Sequence, residues 1–462
     1  MNKRIASIDA LRGITIIMMI FCAAFGWNSG LPAWMFHCQC PPPTYAFDPT
    51  VKGITWVDLV FPWFLFAMGA AIPFSLGGKL RKGIGMGRVS LDLLKRWLTL
   101  AAFGLVLGNA GLITDYSAWG PSLLRFGIWC GLFLALWRVP SGSKIPGWTV
   151  NIAGVIAIIA LLVVEKFAFG VSLSLHSNDI IIMVLSLVAL VGGFAWLITR
   201  EKPVWRLALL VVVAALKEVS WQAPGTLGMM NFPHWIDWLL NWRYLQYLVV
   251  VLLGTFAGDI LAKAASSGAD LCANPTGAGS ACAALLCLLS VPAALVGFFT
   301  RNIWVLLAVI AAFAAVSLVL TRRDRSAWAL IIRIGYACLL LGIIFDPIDG
   351  GITKDHCNLS YMLSAGGLAC LMSSFLLWCE SRAALRGRTL SKTLTMTGQN
   401  PMVAYTVTWF VILPLLSACG FGHFMAATVG SPVLGLLQGV ILTGLMVVVT
   451  CLLTRARIFW RS

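Results

Sequence analysis

The sequence predicts an all-α, polytopic transmembrane helical bundle, on the evidence of its composition, its apolar run lengths and its charge distribution. Hydrophobic residues make up 60% of the 462 residues and charged residues only 11%, which is too little charge to cover a soluble domain of this length. Apolar runs of about twenty residues recur from end to end, and each is long enough to cross the roughly 30 Å hydrocarbon layer. We therefore expect one integral membrane domain over residues 1–462.

Fourteen segments have the length and apolar character of membrane-spanning helices. The seventh, ninth and tenth are the least distinct, so the expected number is about 12–14 helices. The first run, from Ile8 to Trp27, is long for the apolar part of a signal peptide, and we expect it to be retained as a helix. The segments lie at about 8–29, 55–76, 92–112, 121–138, 148–168, 179–199, 204–221, 244–262, 279–300, 302–320, 327–346, 359–380, 401–420 and 431–454.

The distribution of lysine and arginine between loops predicts the orientation. The net charge of +16 would suggest a nucleic-acid partner in a soluble protein, but in a membrane protein the positive-inside rule accounts for it. With the N-terminus in the cytoplasm, 24 of the 33 Lys and Arg lie in cytoplasmic segments. The external loops then hold only Lys52, Arg243, Arg301 and Lys354. Both termini are therefore predicted to be cytoplasmic, and no nucleic-acid partner is expected.

Thirteen cysteines are scattered along the chain, mostly inside apolar segments, where they act as small hydrophobic residues. There is no CxxC pair and no zinc-finger spacing, so the sequence predicts no metal. Cys38 and Cys40 are too close for an easy mutual disulfide. Either could pair with Cys357 outside the cytoplasm or remain a free thiol.

Ionisable side chains inside apolar segments are costly in hydrocarbon and are therefore functional candidates. Asp9 and Arg12 in "SIDALRG" share one helix face and can pair, although such a pair could also only anchor the first helix. Asp58 lies one turn into the second segment, where it can cap the helix, and Pro62 permits a kink beside it. Arg125 in "SLLRFG" either snorkels to the interface or reaches an anionic ligand.

Histidine is confined to the predicted external loops, the face that therefore has nearly every group able to exchange a proton near neutral pH. His37 is the one that precedes "GITWVDLVFP". A neutral imidazole there could act as a base or as an acyl acceptor, although a loop histidine is more often a solvated surface residue. The five histidines are His37, His176, His234, His356 and His423.

A series of motifs, in order along nearly the whole chain, resembles one family of membrane proteins. The motifs are "SIDALRG", a histidine, "GITWVDLVFPWFLFAMG", "SLLRFGIWCGLFLAL", "LGTFAGDIL", "ITKDHCNLSYML", "TGQNPMVAY" and "RARIFWRS". They resemble the heparan-α-glucosaminide N-acetyltransferase family and its bacterial relatives. Against the smallest members, the core helices are at about 8–138, 244–262 and 327–454, and 148–221 and 279–320 are extra helices.

The resemblance implies transmembrane acylation, in which the acetyl group of cytoplasmic acetyl-CoA is delivered to a sugar amine on the opposite side. By position, His37 matches the catalytic histidine, as general base or as transient acyl acceptor, and a carboxylate such as Asp58 or Asp48 would orient its ring. His37 precedes Asp58 by 21 residues, whereas the family spacing is about ten. Asp48 stands near that shorter spacing and could replace or assist His37.

Two sets of binding residues are expected, some from the resemblance and some from the residues themselves. Arg12 and Arg125 match family motif positions, and a basic run between the second and third segments could hold the phosphates of CoA, although a plain positive-inside loop would look the same. The expected donor-binding residues are Arg12, Arg81, Lys82, Arg88, Lys95, Arg96 and Arg125. Those expected to bind the acceptor are Asp9, Lys354 and Asn400, which match family motif positions, and Trp34, one of several boundary tryptophans that either form an interfacial belt or stack on a sugar.

A second class of function is also compatible with the sequence, namely a transporter or flippase for a sugar or lipid-linked sugar. Such proteins usually show interrupted helices in two related halves, and no convincing internal repeat is visible here. The expected partners are acetyl-CoA, an amino sugar or glycan acceptor that reacts through an amine or a hydroxyl, and the lipid bilayer. The family precedent favours a homodimer, and its bacterial members favour the bacterial inner (cytoplasmic) membrane.

Overall fold

The computed structural model of the protein describes residues 5–112, 119–137, 139, 145–222 and 232–460. Within these ranges the chain is helical, and the only β-pairing is an isolated bridge between Trp137 and Trp460. The predicted all-α class is confirmed. The charged residues nearest the two termini, Lys3, Arg4 and Arg461, lie outside the described residues.

Each of the fourteen predicted segments is a helix, and one short helix is added between the twelfth and thirteenth. In chain order they are α1 (Ala6–Ala24), α2 (Trp56–Arg81), α3 (Met86–Ala110), α4 (Trp119–Leu136), α5 (Gly147–Phe169), α6 (Ile180–Thr199), α7 (Pro203–Gln222), α8 (Leu248–Ser267), α9 (Ala278–Phe299), α10 (Ile303–Leu320), α11 (Ala327–Phe345), α12 (Leu359–Leu385), the short α13 (Lys392–Gln399), α14 (Pro401–Ala427) and α15 (Pro432–Arg455).

Twelve helices among the described residues are long and apolar enough to cross a membrane. The two other long helices, α3 and α7, carry more charged side chains. A polytopic helical bundle is therefore the architecture of this chain. The cytoplasmic position of both termini, and the assignment of the whole chain to a single domain, stay predictions.

The centre of the bundle is a close contact between α2 and α8. A Cβ atom added to Gly254 would lie less than 3.0 Å from the carbonyl oxygen of Phe66, and one added to Gly258 would lie equally close to that of Ala70. Small residues four apart let two membrane helices approach until their backbones touch. The glycines in "LGTFAGDIL" thus seat α8 against the middle of α2.

Three further helices, α1, α6 and α12, pack around α2. Of these, α6 belongs to the predicted extra set at 148–221, yet it contacts α2, α3 and α8 and most of its residues are buried. By contrast, α5 buries only Gly154, Ile158 and Glu165. The extra segments therefore do not form one outer layer, because α6 contributes to the core.

Local sequence sets where several helices begin. Asp179, Ser326, Asn358 and Ser431 each precede a helix and accept a hydrogen bond from a backbone N–H three residues further on. These caps satisfy one of the amide groups that a helix leaves free in its first turn. The cap at Asn358 also fixes the loop that carries Lys354 to the start of α12, because its side-chain amide donates to the carbonyl of Gly351.

Substituting Gly258 by alanine should destabilise the protein, because the new methyl group would collide with the backbone of α2, which cannot rotate away as a side chain can. We expect a cost of about 1–3 kcal/mol and a lower midpoint of thermal unfolding in detergent. Gly444→Ala on α15 is the matched control, since nothing lies within 4 Å of a Cβ there. Equal midpoints for the two variants would contradict the close contact.

Candidate active site

The N-terminal end of α2 holds a histidine and a carboxylate in direct contact. The Nδ1 atom of His37 lies 2.6 Å from Oδ1 of Asp58. The Asp58 side chain is fully buried, whereas that of His37 is 31% exposed. The dyad therefore opens to solvent on the imidazole side only, and His37 is not simply a solvated loop residue.

The second carboxylate oxygen of Asp58 is held by the backbone. It accepts hydrogen bonds from the amide N–H groups of Thr55, at 2.9 Å, and Cys38, at 3.3 Å. Asp58 thus caps the first turn of α2, as the sequence allowed, and orients His37 as well. The two roles use different oxygens of one carboxylate.

Lys354 completes a triad of charged and titratable groups, although it lies 317 residues from His37 in the chain. Its Nζ atom is 3.1 Å from Nδ1 and 3.4 Å from Nε2 of His37, and 4.0 Å from Oδ1 of Asp58. The hydroxyl of Tyr361 donates to the carbonyl of Asp58 at 2.6 Å. The "ITKDHCNLSYML" segment therefore packs directly on the start of α2.

Hydrogen bonds from side chains to backbone carbonyls hold the loop that carries His37 in place. The hydroxyl of Thr55 donates to the carbonyl of Phe36 at 2.7 Å. The side-chain amide of Gln39 donates to the carbonyls of Val51 and Gly53, at 3.1 and 3.2 Å. These bonds join both ends of the loop that precedes α2. His37 is consequently fixed from both neighbouring positions.

The loop that carries Lys354 is held by a second ion pair. Arg301, between α9 and α10, donates two hydrogen bonds to the carboxylate of Asp346, at 2.9 and 2.7 Å. Asp346 also accepts a hydrogen bond from the backbone N–H of Ile352 at 2.8 Å. The backbone N–H of Gly53 in turn donates to the carbonyl of Ile352. This two-bond geometry favours one fixed arrangement, so Arg301 positions Lys354 indirectly.

A cluster of aromatic rings adjoins His37 through the preceding residue, Phe36. The ring of Phe36 packs on those of Phe25, Trp27 and Tyr45, with centroids 5.2, 5.5 and 4.8 Å away. Trp27 is 42% exposed and so presents part of this aromatic cluster to the surface. Trp34, the residue expected to stack on a sugar, is 53% exposed on the short 3₁₀ turn Ala33–Met35, and its role stays a prediction.

Asp48, the alternative carboxylate, is engaged elsewhere. Its Oδ1 accepts from the backbone N–H and the hydroxyl of Thr50, at 2.8 and 2.6 Å, and these bonds lower its pKa. Asp58 is the carboxylate that contacts His37, even though it lies 21 residues away. The residues between His37 and Asp58 fold as a separate loop, so the number of residues between the two does not indicate which carboxylate contacts the histidine.

The opposite end of α2 borders an open cleft of about 810 Å³ between α2, α6 and α8. Three cations line it, Arg81, Arg200 and Lys263, together with the acids Glu201 and Asp259. Of the basic run predicted to bind the donor, Arg81 reaches this cleft. Lys82, Arg88, Lys95 and Arg96 are exposed on the surface nearby.

A polar network that no sequence motif predicted supports part of the wall of this cleft. The fully buried Arg206 donates to Asp259 at 2.6 Å and to Thr255 at 3.1 Å. The indole N–H of Trp196 also donates to Asp259, at 2.8 Å. The sequence feature that could have predicted this network is Asp259 within "LGTFAGDIL", because an acidic side chain in an apolar helix needs polar partners.

The other predicted donor-binding residues are dispersed. Arg12 pairs with Asp9 at 3.7 Å and donates to the carbonyl of Ala67 at 3.1 Å, which lies near the middle of α2. Arg125 is buried beside a separate cavity of about 200 Å³, and it donates to the carbonyl of Gly111 at 3.2 Å. The structure does not bring these two arginines to the cleft.

The four residues predicted to bind the acceptor also lie in different parts of the structure. Lys354 joins His37, whereas Asp9 is buried in the first turn of α1. Asn400 is buried between α13 and α14, where its side-chain amide donates to the carbonyl of Ile458 at 2.9 Å. All thirteen cysteines are free, including Cys38, Cys40 and Cys357.

Comparison with known proteins gives the family. The family model described as "Domain of unknown function (DUF5009)" matches residues 4–261, more than half of the chain. The chain belongs to the DUF5009 family. The matched part includes His37, Asp58, Arg81 and Arg200, but not Lys263 or Lys354.

A stretch of this DUF5009 protein also matches curated relatives. A segment of 116 residues, 25% of the chain, is 30% identical to heparan-alpha-glucosaminide N-acetyltransferase of Homo sapiens. A segment of 117 residues is 27% identical to the Mus musculus protein of the same name. The matched segments span only 15% and 16% of those relatives. The resemblance inferred from the motifs is thereby confirmed over about a quarter of the chain.

One acid near the site should make the stability of the DUF5009 protein depend on pH. Burial raises the pKa of Asp349, in the loop before α12, from 3.8 to about 6. The folded state therefore holds a proton that the unfolded state releases, so stability falls as pH rises from about 4 to about 6. The loss above this window is about 3 kcal/mol at most.

Asp349→Asn should remove that loss and raise the midpoint of thermal unfolding near pH 7, with little change near pH 4. Asp48→Asn is the matched control, because that exposed carboxyl has a lowered pKa and its removal should bring no gain. If Asp349→Asn lowered the midpoint at both pH values, the buried acid would be a stabilising hydrogen-bond acceptor instead.

Proposed function

We propose that this protein is a membrane acetyltransferase that moves the acetyl group of acetyl-CoA, bound at the cytoplasmic end, to a sugar amine or hydroxyl outside the cytoplasm. The observation that carries the proposal is the hydrogen bond of 2.6 Å between His37 and the buried Asp58. Support also comes from the cation-lined cleft at the other end of α2 and from the two N-acetyltransferase relatives.

The dyad suits a general base. With the Nδ1 proton donated to Asp58, Nε2 of His37 carries the lone pair, on a side chain that is 31% exposed. It takes the proton of the acceptor N–H or O–H as that atom attacks the thioester carbonyl, and it returns the proton to the departing CoA sulfur. Asp58 stabilises the intervening imidazolium, as the aspartate does in a Ser-His-Asp triad.

Lys354 is placed to stabilise the negative charge that develops during this step. Its ammonium nitrogen is 3.4 Å from Nε2, next to the place where the reacting carbonyl would lie. A fixed positive charge there stabilises the oxyanion of the tetrahedral intermediate, an effect that is larger in a partly buried site than in water. Direct transfer needs no covalent enzyme intermediate, and an acyl-His37 route uses the same three residues.

The other end of α2 has the positive charge and the space that a binding site for acetyl-CoA requires. Arg81, Arg200 and Lys263 present cationic groups of the kind that bind phosphate oxygens, and the cleft is large enough for a nucleotide-sized ligand. About 35 Å of helix separates Asp58 from Arg81, at 1.5 Å per residue. Leu65, Phe66 and Ala67 between them are buried, so the acyl-carrying arm must displace packed side chains to reach His37.

A transporter or flippase is the competing function, and one assay separates the two. A transferase in detergent releases free CoA thiol from acetyl-CoA only when an amino sugar is added. A transporter moves its solute in vesicles and consumes no thioester. Sugar uptake into vesicles without CoA release would overturn the proposal.

Replacing His37 by alanine should remove the base and lower the rate of acetyl transfer by about 10²–10⁴-fold, with acetyl-CoA binding unchanged because the donor docks at the other end. Asp58→Asn should slow transfer through loss of ring orientation and leave part of the rate. Turnover is measured by thiol release and donor binding by thermal shift. A His37→Ala enzyme with the wild-type rate would exclude His37 as the base.

Removing cations from the cleft should weaken donor binding without slowing the chemical step. The double variant Arg81→Ala/Lys263→Ala should raise KM for acetyl-CoA at least tenfold, since each lost charge-assisted hydrogen bond contributes about 1.5–3 kcal/mol, while kcat stays near the wild-type value. Arg322→Ala, an exposed cation between α10 and α11, controls for surface charge. An equal rise in KM for the control would place the donor elsewhere.

A further inference from the structure

Two loops at the end of the bundle that holds His37 bring together two imidazoles and a carboxylate outside the proposed active site. Nε2 of His176 lies 2.7 Å from Oδ1 of Asp237, and Nδ1 of His234 lies 3.4 Å from Oδ2 of the same residue. The three ligand atoms all lie within 4.8 Å of one another. The two histidine rings stack with centroids 4.3 Å apart.

The loop that carries His176 is anchored to α3. The side-chain amide of Asn109 donates to the carbonyls of Ser174 and Ser177, at 2.9 and 2.8 Å, and its oxygen accepts from the backbone N–H of Ser174 at 2.9 Å. These three bonds bracket His176 on both sides. Its backbone is therefore fixed before any ligand binds.

The segment that carries the other two residues is also folded on itself. The backbone N–H of Asp237 donates to the carbonyl of Pro233 at 3.1 Å, and the hydroxyl of Tyr244 donates to the carbonyl of Trp238 at 3.3 Å. His234 and Asp237 are three residues apart within this turn. The cluster is thus assembled by tertiary structure, from segments that lie 61 residues apart between His176 and Asp237.

The chemistry of the three side chains selects a borderline transition-metal ion. Zinc binds imidazole nitrogen and carboxylate oxygen at about 2.0–2.2 Å, which puts neighbouring tetrahedral ligands about 3.3 Å apart. The observed separations bracket that value. Magnesium and calcium prefer sites made entirely of oxygen, and two imidazoles disfavour them.

We propose that His176, His234 and Asp237 form a binding site for one Zn²⁺ ion, with water as the fourth ligand. The side chains are 41%, 86% and 30% exposed, so an ion outside the cytoplasm reaches them directly. The bound ion joins the loop between α5 and α6 to the segment before α8. No short ligand motif marks this site in the sequence, because its three ligands come from two loops that are distant in the chain.

The test uses the full-length protein in detergent, freed of metal with a chelator and dialysed against micromolar ZnCl₂. Bound zinc is then counted by mass spectrometry. The wild type should bind one ion per chain and show a higher thermal unfolding midpoint with zinc. His234→Ala and Asp237→Ala should each weaken zinc binding at least tenfold.

The matched control is His423→Ala, which removes an exposed histidine elsewhere on the same predicted face and should bind zinc as the wild type does. MgCl₂ in place of ZnCl₂ should produce no shift. The proposal is overturned if the wild type retains no zinc after dialysis, or if His423→Ala loses as much zinc as His234→Ala. Because zinc content is measured directly, the outcome does not depend on the proposed transferase activity.

Discussion

The burial of one carboxylate organises the proposed active site. Asp58 is fully buried at the start of α2, and a buried ionised carboxylate without partners would cost several kcal/mol. Its partners come from three places in the chain: His37, Lys354 and the backbone amides of Thr55 and Cys38. The loops before α2 and before α12 must therefore meet at this point, and the reactive imidazole is fixed as a consequence.

The helix that carries Asp58 also links the two ends of the proposed reaction. α2 contains Pro62 and Pro73 within its length, and each proline removes a backbone hydrogen bond and permits a bend. α14 is irregular as well, with π-helical turns at Thr408–Ile412 and Ser417–Phe421. Such turns often accompany functional sites. Since the middle of α2 is tightly packed, these irregular points are where the helices can yield to a donor arm.

Local sequence patterns predicted the helices and part of the site, and they failed where contacts are non-local. Apolar run length predicted all fourteen long helices because hydrocarbon thickness fixes that length. The family motifs pointed to His37, Asp58 and Lys354, which the fold brings into contact, whereas the family spacing also pointed to Asp48, which contacts Thr50 instead. The sequence singled out Arg81 but neither Arg200 nor Lys263, because nothing near these two residues in the chain shows that α6 and α8 place them on one cleft with Arg81. The central position of α6 is likewise a property of packing.

The two ends of the bundle differ in how their charges are balanced, and this difference bears on their ligands. In the cleft, Arg206 and Arg200 contact the acids Asp259 and Glu201, which leaves Arg81 and Lys263 to give it a net positive charge. At the other end, Asp58 and Asp346 offset Lys354 and Arg301. A surplus of cations favours a polyanion such as the phosphates of CoA. A balanced, aromatic-lined mouth favours an acceptor with little charge, because burying an ionic ligand there would leave a charge without a partner.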